Sequence, residues 1–237
     1  MNENLQLDAL VFAPHPDDAE LAMGGTIIKM VAAGKRVGVI DLCRGELGSK
    51  GNAEIRAQEA ARASEIMGIQ YRGNLDLGDG MLVDCPENRL KVATEIRRFR
   101  SPLIFVCPPF DPHPDHQGAS RMVHAAFFLS RLRRLELEFP AYSPQILLYY
   151  FIHEMRQLTF AVDISSSFEQ KMDAMRAFHS QFVESDLPLD YKYVGTSDYL
   201  TQVKAYNQTI GAKIGVSYAE GFFSDKPLPL NLPSDIL

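Results

Sequence analysis

The sequence predicts an α/β fold in which a doubly wound, mostly parallel sheet carries helices on both faces, within a single domain over residues 1–237. Three observations support this. Short apolar runs alternate with helix-length amphipathic runs through the first half of the chain. The most apolar runs show no alternation, as expected of strands buried on both faces. At 237 residues and 46% apolar, the chain can bury one sizeable core.

The elements follow in order. Ala9 to Ala13 (ALVFA), closed by Pro14, is the first strand. Leu21, Gly25, Ile28, Val31 and Ala32 then recur at helical spacing until Gly34 and the pair Lys35-Arg36. Val37 to Leu42 forms a second strand, followed by the Gly-rich loop RGELGSKGN and a helix from Ala53 to Met67 stopped at Gly68. A third strand lies near Tyr71 to Leu75. The helix from Arg89 to Arg100 ends before Pro102 and feeds a fourth strand, Leu103 to Cys107. This β-α-β-α-β-α-β rhythm is Rossmann-like, with expected strand order 3-2-1-4-5. Beyond it the spacing predicts helices at His116 to Arg134, Ser167 to Phe182 and Asp198 to Ile214. Strands are predicted near Ile146 to Phe151 and Phe160 to Ile164, and the Pro-rich tail KPLPLNLPSDIL reads as extended.

Composition narrows the function classes. A formal charge of -6 and the lack of a Lys/Arg block argue against nucleic acid and anionic membranes as partners. Cys43, Cys85 and Cys107 are odd in number and outside any CxxC, which predicts neither disulfides nor a cysteine zinc site and fits a reducing cytoplasm. No basic-then-apolar leader opens the chain and no apolar run is long enough to span a bilayer.

In this strand order, strands one and four are neighbours, and ligands bind beyond their carboxyl ends. Strand one runs into His15-Pro16-Asp17-Asp18-Ala19-Glu20, and strand four into Asp111-Pro112-His113-Pro114-Asp115-His116. The two His/Asp clusters therefore converge, while His124, His153 and His179 sit singly and read as ordinary surface or core residues. Imidazole and carboxylate suit Zn²⁺, which in catalytic sites takes three protein ligands and leaves a position for water. His15 and Asp18, three apart, can point to one side. The groups beyond the ligands, Asp17, His113 and Asp115, match what hydrolysis needs: a base for water and a group at the developing oxyanion. Taken alone, Asp17 or Asp18 would be a helix N-cap and His113 a turn residue. A dinucleotide site is disfavoured because GxGxxG is lacking, and a serine hydrolase because GxSxG is lacking.

The segments HPDDAE and HPDHQ resemble the two signatures of the PIG-L/LmbE-like N-acetylglucosamine deacetylases, the first matching H-P-D-D-x-E at every fixed position. The likeness continues through RGELGSKGN, EIRAQEA, LGDGML and GVSYAEGF. It implies one Zn²⁺ per chain held by His15, Asp18 and His116, with Asp17 as base, a division of the two aspartates that spacing does not supply. It implies further that His113, held by Asp115, is protonated and stabilises the oxyanion or the leaving amine, and that Arg56 and Tyr199 bind substrate. Glu46 and Asp79 could bind sugar hydroxyls or cap loops, and Glu20 takes a supporting role at the helix start. The implied substrate is a small N-acetylglucosamine conjugate, foremost N-acetylglucosaminyl-malate of bacillithiol biosynthesis, and a homo-oligomer is expected. The alternatives are a deacetylase of another N-acetyl sugar or small amide, and a non-catalytic metal- or sugar-binding module on the same fold.

Overall fold

A computed structural model describes residues 5–182 and 199–228. Asp198, the expected start of the last helix, and the tail from 229 lie outside the described residues. The first strand, β1 (Ala9–Ala13), has no exposed residue and leads into α1 (Asp18–Ala32). There follow β2 (Val37–Asp41), α2 (Ala53–Met67), β3 (Tyr71–Asn74), α3 (Pro86–Phe99), β4 (Leu103–Val106), α4 (Pro114–Leu129) and β5 (Ile146–Tyr150). The chain continues through β6 (Phe160–Asp163), α5 (Phe168–Arg176), α6 (His179–Phe182), α7 (Tyr199–Ile214) and β7 (Ala219–Phe223). The sheet order is β3-β2-β1-β4-β5-β7-β6. The first five strands are parallel, and β7 runs antiparallel between β5 and β6. Helices α1, α2 and α5 pack together, and α3 pairs with α4, as right-handed crossovers to two faces require. No described helix is long and apolar enough to cross a membrane.

The expected order 3-2-1-4-5 is present, but the sequence pattern missed β7 and misjudged two helices. β7 reads AEGFF, where a buried Glu and a Gly obscure strand character. The helix expected to run to Arg134 stops at Leu129. There the buried Arg97 guanidinium donates to the carbonyls of Ser130 (2.9 Å), Leu132 (2.8 Å), Leu135 (3.0 Å) and Phe139 (3.1 Å), stabilising an irregular segment. The helix expected over Ser167 to Phe182 is broken between α5 and α6. Glu59 accepts the backbone N–H of Ser180 at 2.6 Å and its hydroxyl at 2.8 Å, so the second short helix has its own cap.

A similar break lies inside α1, where Met23 has φ -142° and ψ 19°. The renewed helix exposes the N–H groups of Gly25 and Thr26, and both donate to the Glu220 carboxylate on β7, at 3.0 and 2.7 Å. An anion at a helix start is favourable. Burial of that anion is offset by Lys171 of α5, whose ammonium lies 2.6 Å from it, with both side chains 0% exposed. The late antiparallel strand thus anchors the helix that opens the active-site motif. Glu220→Ala strands a buried Lys171 and two buried N–H groups. It should lower stability by about 3–5 kcal/mol in urea denaturation, the cost of breaking a buried pair from one side; a loss below about 1 kcal/mol would mean the pair is dispensable.

Candidate active site

Adjacent strands β1 and β4 end side by side, so the segments that follow them meet at the carboxyl edge of the sheet. Pro at the first turn and His113 as N-cap start α4, placing Asp115 and His116 on its first turn. Asp17 stands at the N-cap of α1 with φ 121°, a conformation that few non-glycine residues adopt. Its carboxylate makes no cap bond. That strain turns Asp17 away from Asp18, whose carboxylate instead accepts the His15 backbone N–H at 2.9 Å.

Three donor atoms converge. His15 Nδ1 and Asp18 Oδ2 are 3.2 Å apart, His116 Nε2 and Asp18 Oδ2 3.4 Å, and His116 Nε2 and His15 Nδ1 3.3 Å. A tetrahedral ion with ligands at ~2.0–2.1 Å separates its ligand atoms by ~3.3–3.4 Å. The triangle therefore matches a zinc-sized ion without rearrangement. Each imidazole also turns its outer nitrogen to a carboxylate, as metal-binding histidines do. His116 Nδ1 lies 2.9 Å from Asp111 Oδ1, and His15 Nε2 lies 3.2 Å from Asp115 Oδ2 and 3.4 Å from Asp79 Oδ1.

The charge balance is strongly negative. Burial opposes protonation of His15 and His116, yet the surrounding carboxylates prevail, lifting His15 well above its usual range through Asp115 and Asp18, and His116 to about 9 through Asp18 and Asp111. Positive charge is thus demanded at this point. Cys43 reaches the same neighbourhood, but burial pushes its thiol up to about 12 and it donates to the Pro14 carbonyl, which makes it a poor thiolate ligand.

Asp17 lies to one side of the triangle, its Oδ2 2.9 Å from Arg56 Nη2. Burial raises its carboxyl to about 7, with Arg56 opposing and Asp18 adding to the rise. Arg56, expected to bind substrate, lines the cavity but is largely buried, and its guanidinium also donates to the Pro16 carbonyl. The Gly-rich loop wraps this guanidinium: at Gly45 (φ 68°) a Cβ would overlap it.

The roles expected of Asp115 and His113 need correction. The Asp115 carboxylate does not hold His113; it faces His15 and accepts the N–H groups of Gly80 (2.7 Å) and Leu82 (3.1 Å). Gly118 permits this docking, because a Cβ there would overlap the Leu82 carbonyl oxygen. His113 Nδ1 accepts the Asp115 backbone N–H at 3.2 Å, an arrangement that leaves a ring proton on Nε2. Burial and the neighbouring His116 and His15 lower its pKa, which disfavours the expected protonated form.

Asp79 and Tyr199 line the same cavity of about 490 Å³ as the His/Asp cluster, Arg56 and Lys50. Tyr199 stacks on Phe182 at 5.6 Å. Glu46 ties loops instead, accepting the backbone N–H groups of Asp79 (3.0 Å) and Arg44 (3.1 Å). Two residues were missed. Asp111, fully buried within the second motif, was identifiable from its position two residues before His113. His153, read as ordinary, lines the cavity because β5 ends beside β4.

The PIG-L family, described as GlcNAc-PI de-N-acetylase, matches residues 10–127, a span that holds both motifs. Diacetylchitobiose deacetylase of Thermococcus kodakarensis is 32% identical over 228 residues, 90% of this chain and 80% of that protein. Among solved structures, a conserved protein of Thermus thermophilus superposes with a TM-score of 0.88 and 42% identity, covering 96% of this chain and 98% of that one. N,N'-diacetylchitobiose deacetylase of Pyrococcus horikoshii, complexed with its inhibitor MPG, superposes with a TM-score of 0.79 and 27% identity, over 91% and 82%. With the family match spanning both motifs and a relative 32% identical over 90% of this chain, this chain belongs to the PIG-L family of de-N-acetylases.

Proposed function

We propose that this chain is a zinc-dependent N-deacetylase that hydrolyses the acetamide of an N-acetylglucosamine conjugate to acetate and a free amine. The observation that carries the reading is the zinc-sized triangle of His15, Asp18 and His116 donor atoms beside the half-buried Asp17, whose carboxyl is raised by burial to about 7. A binding module has no use for such a carboxylate.

In this mechanism His15, Asp18 and His116 would hold the ion, and Asp115 and Asp111 orient the two imidazoles. A zinc ion held there would supply Lewis acidity toward the acetamide carbonyl and a water. Asp17 takes the proton of the attacking water and returns it to the departing nitrogen, a role suited to a carboxyl with a pKa of about 7. Arg56 positions that base, through the ion pair at 2.9 Å. His113 donates its Nε2–H to the oxygen that gains negative charge, which a neutral imidazole does without a proton transfer. Tyr199, Asp79 and Lys50 form the surroundings of the sugar and aglycone.

For the aglycone we favour malate, from the likeness of the motifs, with Lys50 and Arg56 as the cationic groups in the wall. An N-acetylated disaccharide is the second reading, supported by the name of the Thermococcus kodakarensis relative. Acetate release from N-acetylglucosaminyl-malate, N,N'-diacetylchitobiose and plain N-acetylglucosamine tests both. The malate conjugate should have the highest kcat/KM, chelation should abolish turnover, and inertness of all three substrates would overturn the reading.

Two further outcomes test the assignments. Asp17→Asn should retain zinc and lose ~10²–10⁴-fold in kcat; zinc loss in Asp17→Asn but not in Asp18→Asn would exchange the two roles. Asp115→Asn should weaken zinc binding by ~10–100-fold through His15, whereas His113→Ala should keep zinc and lower kcat far more than it changes KM. Equal zinc affinity in Asp115→Asn and the parent protein, measured by competition with a chelator, would dissociate Asp115 from His15.

A further inference from the structure

His153 has no part in that mechanism, yet its placement is tightly determined. It follows β5, the parallel neighbour of β4, and so arrives at the same carboxyl edge as the two motifs. Its backbone N–H donates to Asp111 Oδ2 at 3.3 Å and its Nδ1 lies 3.1 Å from Asp111 Oδ1. The ring stacks on His116 at 5.2 Å and 18°, on a residue that also stacks with His113 at 4.6 Å. The fully buried Asp111 carboxylate is already served by the His113 N–H at 3.0 Å and by His116 Nδ1 at 2.9 Å. The His153 ring is therefore an addition to a satisfied carboxylate. Its side chain remains 29% exposed, in the wall of the active-site cavity.

A carboxylate can only accept, so the contact with Asp111 engages His153 through an Nδ1–H. Nε2 has no hydrogen-bond partner among the described residues. A ring nitrogen held rigidly in the cavity wall by Asp111 and by the stack on His116 is matched by a hydroxyl of the bound molecule. We propose that His153 is a substrate-binding residue whose Nε2 accepts a hydrogen bond from one hydroxyl of the substrate sugar, and that Asp111 couples this contact to the orientation of His116. The inference rests on the reading of the substrate as an N-acetylated sugar.

The test uses the full-length, zinc-loaded protein, with His153→Phe, which keeps a ring and removes the acceptor, and His153→Asn as a second variant. The probes are the methyl glycoside of N-acetylglucosamine and its 3-deoxy, 4-deoxy and 6-deoxy analogues, each assayed for acetate release and for binding by titration calorimetry. With zinc content unchanged, both variants should lose roughly 5–10-fold in kcat/KM on the parent glycoside, mostly in KM, as for one neutral hydrogen bond. On one deoxy analogue, variant and parent protein should coincide, because the partner hydroxyl is missing. Equal losses on all four glycosides, or no loss on any, would overturn the role of His153. If the parent protein hydrolyses none of them, the deacetylase reading fails, and calorimetry still decides: an affinity loss confined to one hydroxyl supports His153, and a uniform or absent loss overturns it.

Discussion

Everything around the site follows from one electrostatic constraint: the carboxylates of Asp17, Asp18, Asp79, Asp111 and Asp115 are gathered at one edge of the sheet, mostly out of water. Buried negative charge persists only when cations and N–H groups surround it. The chain supplies these one by one. Arg56 serves Asp17, the loop amides of Gly80 and Leu82 serve Asp115, Leu47 serves Asp79 at 2.8 Å, and His113 and His153 serve Asp111. What these donors leave uncompensated is concentrated between His15, Asp18 and His116, where the imidazoles are driven toward protonation. A divalent cation there would meet the same demand as those protons and would be held more specifically by three converging donors.

The supporting structure carries the same logic one layer deeper. Glu20, the last fixed residue of the first motif, points away from the cavity to Arg72, which is bidentate to Asp41 at 2.8 and 2.9 Å. This largely internal network joins the first turn of α1 to β2 and β3. At the far end of the same helix segment, Glu220 and Lys171 secure the break at Met23. Helix α1 is therefore pinned at both ends of the short segment that presents Asp17 and Asp18. Such rigidity suits a site whose donors must stay within a few tenths of an ångström of a metal geometry. It also explains how Asp17 persists at φ 121°.

The family likeness and the shared fold do not choose a substrate, because one scaffold hosts many chemistries and the choice lies in the loops. Here the loop after β2 contributes Leu47, Ser49 and Lys50 to the cavity, and the loop after β3 contributes Asp79 and Gly80. The segment after β5 adds His153.

Much of this was legible in the linear sequence. Strands β1, β2, β4 and β5 announce themselves as apolar runs between helical periodicities, and the expected strand order brings HPDDAE and DPHPDH together without any coordinates. Ligand-bearing residue types and the pairing of the two motifs followed from local pattern, since proline, glycine and β-branched residues act on their own neighbourhood. What the sequence could not carry were contacts between residues far apart in the chain. Examples are Glu220 capping a helix 195 residues earlier, Arg97 gathering carbonyls beyond α4, and the Glu59 carboxylate starting α6. The same reason governs the site: Asp115 turned out to orient His15, 100 residues away, rather than its neighbour His113, and Arg56 to hold Asp17. Local pattern determines which side chains reach the edge of the sheet; which carboxylate faces which imidazole is decided by desolvation and packing, and these exist only once the chain has closed around them.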